Sequence, residues 1–337
     1  IDIFNMDIRI LEDDKVAELM LPYTGGKPHK RRAAIALNMQ GGGGFEIWQY
    51  SERKPKPIEF QIQAGDLGVF VAKIKSRDVV KTYQHFSKKP NVHLLGEPQN
   101  SIDGHKTFFM NDPFGNLFQI VHEPTVYRDE GRLTGGIAGA MIGVTDIEKA
   151  MPIYRDILGY DVIVADETGT FKDLKALPSG DGQFRRRILS HSKPRQGSFS
   201  ELFGKSFIEL VQPLERTPRK IYEGRYWGDP GFIQICFDIR NTDALRKKCK
   251  EMGYPFTVDS SRAFKEGESF DMGEAAGQFA YIEDPDGTLI ELVEAHKIPL
   301  LKKLNIYLNL RKRNPSKSLP KWMLGMLRFM RVDPESL

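Results

Sequence analysis

Two stretches of the chain, 172 residues apart, carry one pattern. FFMNDPFGNLFQIVHEP holds Asp112 and Gln119 where YIEDPDGTLIELVE holds Asp284 and Glu291. Each opens on a turn in which Pro fixes φ, Gly supplies a positive φ and Asp side chains bond nearby backbone N–H groups. Each continues as an alternating run that turns Gln119 or Glu291 to the face opposite its apolar neighbours. A second repeat joins the other parts of the chain. IDIFNMDIRI aligns with YRDILGYDVIV at a shift of 154, Asp2 on Asp156 and Asp7 on Asp161, and the same shift sets Arg31 on Arg185. The shift then becomes 163, with Glu46 on Glu209, Gln49 on Gln212 and Arg53 on Arg216. The difference reads as a loop inserted around His191–Phe199. A 337-residue chain with repeats at these distances is built from copies of one small unit.

Four units follow: 1–57, 65–124, 134–218 and 228–297. A complete unit reads strand, helix, three strands. In the third, IAGAMIGV is a strand, a helix over 147–158 starts at the capping pair Thr145-Asp146, and strands follow in DVIVAD, RRRILSHS and KSFIELVQP. In the fourth, TDALRKKCKEM is a helix closed by Gly253, and QFAYIE and TLIELVE are strands. The first unit begins level with Arg155. About 20 residues forming its strand and most of its helix are therefore expected ahead of Ile1, and a targeting signal there stays open.

Composition narrows the classes. The chain is 40% hydrophobic and 28% charged, as expected of a globular chain of two domains. It has no apolar run long enough to span a bilayer. Cys236 and Cys249 fall in a strand and a helix, with no disulfide framework or zinc knuckle, which fits a reducing, cytoplasmic setting. Residues 301–331 hold nine Lys/Arg and no Asp/Glu, so against an overall charge of +4 the preceding 300 residues are net acidic. Nucleic acid is therefore not an expected partner. The Gly41–Gly44 run leads into a strand and lacks the Lys-Ser/Thr of a phosphate loop, so it reads as a hairpin turn.

The repeat GVTDIEKAMPIYRDILGYDVIV with DPDGTLIEL, and the weaker DPFGNLFQI, resembles the vicinal oxygen chelate superfamily, which includes glyoxalase I, extradiol dioxygenases and bleomycin-resistance proteins. The resemblance covers residues 1–297. It implies an α+β fold of tandem βαβββ modules, four here with the first truncated, whose paired mixed sheets form two cups. It implies an N-terminal domain over 1–127, a C-terminal domain over 128–299 and a tail over 300–337. It also implies a divalent metal held by the first and last strands of paired units. Carried onto this chain, the second half offers Gly139, Glu209, Gln234 and Glu291, and the first half Glu46, Val69 and Gln119.

Without two histidines the set does not suit extradiol chemistry. Glu209, Gln234 and Glu291 suit Mg, Mn, Ca or Ni, and zinc less well. Glu291 and Glu209 are the expected catalytic carboxylates, with Met141, Cys236 and His191 against substrate. Two functions stay open: a metal-assisted lyase, isomerase or epimerase acting on a small oxygen-rich molecule in the C-terminal cup, or a metal-free protein that sequesters a small molecule. An apolar cup lined by Trp48, Val69, Val71 and Val121 is expected in the first half. The tail offers two readings, a basic amphipathic helix for a membrane surface or protein partner, or a helix docked on the acidic body. Monomer and homodimer both remain open.

Overall fold

The computed structural model describes residues 1–263, 270–271, 276–301 and 306–333. The first unit supplies β1 (Ile8–Val16), β2 (Lys30–Leu37) and β3 (Phe45–Tyr50). The second supplies β4 (Gly68–Ser76), α1 (Val79–Phe86), β5 (His93–Asn100), β6 (Lys106–Asn111) and β7 (Leu117–His122). The third supplies β8 (Thr134–Gly143), α2 (Ile147–Met151), β9 (Val162–Gly169), β10 (Phe184–Ser190), α3 (Ser200–Phe203) and β11 (Phe207–Pro213). The fourth supplies β12 (Gln234–Asp238), α4 (Thr242–Glu251), β13 (Val258–Asp259), β14 (Phe270–Asp271), β15 (Ala276–Glu283) and β16 (Leu289–Leu301). Then follow β17 (Ile306–Asn309) and α5 (Lys321–Gly325).

Local chemistry sets these boundaries. Asp78 and Asp146 cap α1 and α2, accepting from the N–H of Lys81 and of Glu148. Pro152 cannot continue the i−4 ladder, and the helix runs on from Pro152 to Ile157 in π form. The two acidic turns are built alike. Asp112 accepts from the N–H of Phe114 and Asn116, and Asp284 from those of Asp286 and Thr288. Gly115 and Gly287 take the positive φ each turn needs.

The strands form three sheets, ordered β1-β2-β3, β5-β6-β7-β4-β8-β11-β10-β9, and β12-β16-β15-β13. The fold is the mixed-sheet α+β architecture of duplicated units. The pairing of units differs from the expected halves 1–127 and 128–299. β4 of unit two pairs antiparallel with β8 of unit three, so these units share one sheet across that boundary. Unit one faces unit four instead: Tyr50 Oη donates to the Trp227 carbonyl, Arg53 pairs with Asp229, and the Trp48 and Trp227 rings meet at 4.5 Å. The physical reason is that β4 and β8 are the two first strands able to complete each other's ladder. Their Val69, Val71, Met141 and Ile142 are all buried there.

The main core joins Ile147, Ile153 and Tyr154 to Ile282, Ile290 and Leu292 of the last sheet. Each such side chain contributes roughly 1.5–3 kcal/mol on burial. The described residues 306–333 pack on the body. β17 extends the last sheet, and Leu310, Leu319, Leu324 and Leu327 share a core cluster with Ile8 and Leu37. Arg331 pairs with Asp7 and Glu130. The tail docks on the body through these leucines and leaves its other side exposed.

Candidate functional site: two cups of opposite character

The register of the last strands shows which positions are equivalent. Gln119 lies beside Lys73 in β4, Glu209 beside Met141 in β8, and Glu291 beside Cys236 in β12. Two residues earlier on each first strand stand Val71, Gly139 and Gln234. Val71, not Val69, is thus the counterpart of Gln234, while Val69 packs in the main core. In β2 and β10, Ile35 faces Glu46 and Ile188 faces Glu209, a shift of 153. Ala33, not Arg32, is therefore the counterpart of Arg186.

These one-residue corrections explain why the cups differ. In the cup of units two and three, Lys73 Nζ donates to Gln119 Oε1 and to Glu209 Oε2, both at 2.6 Å. Gly139 lies directly across from Lys73, and a Cβ there would meet the Phe207 carbonyl at 1.8 Å. Arg186 donates to Glu209 Oε1 at 2.7 Å and grips Asp173 with both terminal nitrogens. Lys73 is 3% exposed, and Glu209 and Arg186 are 0% exposed. Burial alone would raise the Glu209 pKa, but the Arg186 and Lys73 charges outweigh it and hold it below the usual range. Phe171, Leu174 and Leu177 fill the remaining space with Met141, Val71 and Val211. This cup is closed, and its cations are covalently part of the chain.

The cup of units one and four has the opposite electrostatics. Ala33 and Cys236 stand where Arg186 and Lys73 stand in the other cup, and both cations are gone. Glu46 and Glu291 meet here, each within hydrogen-bond reach of the other. Gln234 Nε2 donates to Glu291 Oε2 at 2.5 Å, and Gln234 Oε1 accepts from Trp227 Nε1 at 2.8 Å and from Tyr281 Oη at 3.0 Å. Burial pushes the Glu291 carboxyl up to about 7. Burial and then the Glu291 charge push Glu46 well above its usual range, against a smaller pull from Trp48 and from the Arg31 charge. The same two causes raise the thiol of Cys236 and the phenol of Tyr281. Cys236 is exposed to solvent. Trp48, Trp227, Tyr23, Tyr281 and Leu289 form the apolar wall.

The expected site residues therefore divide. Glu291, Gln234 and Cys236 come together, joined by Glu46, which belongs to the other half of the sequence. Glu209 does not join them. It is spent on Lys73 and Arg186, so it is neither a ligand with Gln234 and Glu291 nor a second catalytic carboxylate beside Glu291. Met141 is buried in the closed cup. His191 is half-buried, its Nδ1 bonded to the Lys193 carbonyl and its ring 6.2 Å from that of Tyr160, away from the carboxyl pair. The expected lining of the first half splits too, Trp48 to the open cup and Val71 to the closed one. Tyr281 and Trp227 were not among the expected site residues. Tyr281 was detectable two residues before the acidic turn, on the strand paired with Glu291.

A divalent ion fits the donor set of the open cup on one observation: the buried Glu291 carboxyl meets the half-buried Glu46 carboxyl, and among the described residues no ammonium or guanidinium is bonded to either. Glu46 and Glu291 would hold it. The Gln234 amide oxygen is engaged by Trp227 and Tyr281, so in this state Gln234 orients Glu291. Among the described residues, no group of three or more His, Cys, Asp or Glu is already arranged around a common point. The carboxyl–carboxyl contact must open, and its proton leave, for an ion to enter.

Residues 140–270 match the glyoxalase/bleomycin resistance protein/dioxygenase superfamily. No curated protein matches the chain. Among solved structures, glyoxalase I from Zea mays overlaps with a TM-score of 0.47 at 16% identity, over 78% of this chain and 79% of that one. A putative dioxygenase from Bacillus subtilis gives 0.47 at 15% identity, over 78% and 72%. TnmS3, an antibiotic binding protein from Streptomyces sp. CB03234, gives 0.27 at 18% identity, over 47% and 93%.

Proposed function

We propose that the chain, whose residues 140–270 match the glyoxalase, bleomycin-resistance and dioxygenase superfamily, is a divalent-metal-assisted lyase, isomerase or epimerase. It acts on a small oxygen-rich substrate in the cup of Glu46 and Glu291. The observation that carries this reading is the pair itself, a buried and a half-buried carboxyl in contact without the cations that stand at the equivalent positions of the other cup. Glu46 and Glu291 would hold the ion, which when bound would supply Lewis-acid stabilisation of the negative charge left on a substrate carbonyl oxygen once the neighbouring carbon loses its proton. Glu291, the carboxylate to which Gln234 donates, would take the proton from that carbon. Gln234 fixes the Glu291 carboxylate, and Trp48, Trp227 and Tyr281 exclude water from the apolar side of the substrate.

The test is proton exchange at the carbon beside the carbonyl of hydroxyacetone in deuterated water, followed by NMR with Mg²⁺ present. Exchange that is faster with the wild type than with Glu291→Gln supports the reading. Equal rates contradict it. The aromatic wall favours a second reading, a metal-free cup that sequesters a small apolar ligand. Under that reading Glu291→Gln binds ligand as well as the wild type does.

A further inference from the structure

The C-terminal segment presents a surface that the cup does not use. Residues 301–331 contain nine Lys/Arg and no Asp/Glu. Arg185, Arg187 and Arg246 of the body are paired, whereas Lys312, Lys317, Lys321 and Arg328 are exposed and form no ion pair among the described residues. Beside them stand two large exposed rings, Trp322 at 65% and Phe329 at 63%.

Their placement follows from the helix. α5 is continued by a 3₁₀ turn over Met326–Met330. Steps of about 100° and then about 120° per residue set Phe329 about 40° round from Trp322. The same steps bring Leu324 and Leu327 to the opposite side, and both are buried in the core with Ile8 and Leu37. Lys321 and Arg328 lie together on one side of the two rings, about 20° apart, and Arg328 lies over the Phe329 ring at 4.9 Å. The segment is held firmly from behind: Tyr127 Oη donates to the Lys321 carbonyl at 2.8 Å, and the Leu319 N–H to the Ser198 carbonyl at 2.9 Å. The rings are therefore offered outward from a fixed base.

We propose that this face docks the protein on an anionic lipid surface. Exposed Trp and Phe partition into the interfacial layer of a bilayer, and unpaired Lys and Arg are drawn to anionic headgroups. Either feature alone binds weakly, and here both lie on one side of one helix. An acidic protein surface satisfies the charges but leaves no apolar layer for the two rings. The four exposed cations have no acidic residue among them, which suits a continuous negative surface.

The test uses the full chain and sedimentation with vesicles of phosphatidylcholine, alone or with about one-third phosphatidylserine. The expected result is binding at least about tenfold stronger to the anionic vesicles, weakening as salt rises. Lys321→Glu with Arg328→Glu, and separately Trp322→Ala with Phe329→Ala, each lower that binding by about tenfold or more. All four side chains are exposed, so circular dichroism is expected to stay unchanged and to exclude misfolding as the cause. Absence of binding to anionic vesicles at low salt overturns the proposal. So does binding that survives either double substitution.

Discussion

Lys73 and Cys236 hold the same register position in two units, each beside the last-strand residue that faces its cup, Gln119 for one and Glu291 for the other. The ammonium of Lys73 reaches across Gly139 to Glu209 and closes its cup. The thiol of Cys236 carries no positive charge, and Glu291 is left against Glu46. This exchange, together with Ala33 at the position of Arg186, separates a cup that supplies its own cations from a cup that requires a proton or a metal ion.

Exchanging that residue is expected to convert the open cup. Cys236→Lys places an ammonium beside the carboxyl pair and lowers divalent-ion affinity by at least about 100-fold, through like-charge repulsion at short range. Isothermal titration with Mn²⁺ measures this. Unchanged affinity would show that Cys236 is not directed at the pair.

The closed cup is expected to be sensitive to loss of one partner. Lys73→Met leaves Glu209 buried with one cation fewer and costs about 3–5 kcal/mol in urea unfolding. Replacing Lys73, Glu209, Arg186 and Asp173 together by apolar residues of similar volume recovers much of that loss, because the network is costly to desolvate.

The open cup predicts an unusual dependence of stability on pH. The Glu291 pKa is raised from 4.5 unfolded to about 7 folded, and that of Glu46 is raised too. Between those values the folded state holds more protons than the unfolded one, so stability falls as pH rises through the window. For Glu291 the loss is on the order of 3 kcal/mol. Thermal melts of metal-free protein from pH 4.5 to 8 are expected to show it, and Glu291→Gln with Glu46→Gln to remove it.

Much of this architecture was legible in the sequence, and the reasons for the rest are specific. The acidic turns, the capped helices and the alternation around Glu291 are local signals, and they marked the units and the fold. Which units share a sheet is decided by ladder completion between β4 and β8, far apart in sequence, so the halves 1–127 and 128–299 were the wrong pairing. The site suffered in consequence. Glu209 falls with Glu291 in the expected set because they share a half, and Glu46 falls in the other half with Val69 and Gln119. A Lys inside the apolar run Val69–Ile74 was the overlooked signal, since a buried ammonium requires a buried partner.

The two thiols are expected to behave differently from each other. Cys236 is accessible, but burial and the two glutamates raise its pKa well above the ordinary value. It should react with iodoacetamide at pH 7 more slowly than a free thiol, and faster in Glu291→Gln, while buried Cys249 does not react. Mass spectrometry of the alkylated peptides reads both.

The most direct test of the account is divalent-ion binding compared across the two cups, by titration calorimetry with Mn²⁺ at pH 8 on wild type, Glu46→Gln, Glu291→Gln and Glu209→Gln. The account predicts a single ion per chain, lost in Glu46→Gln and Glu291→Gln and retained in Glu209→Gln. No binding by the wild type, or equal loss in Glu209→Gln, would contradict it.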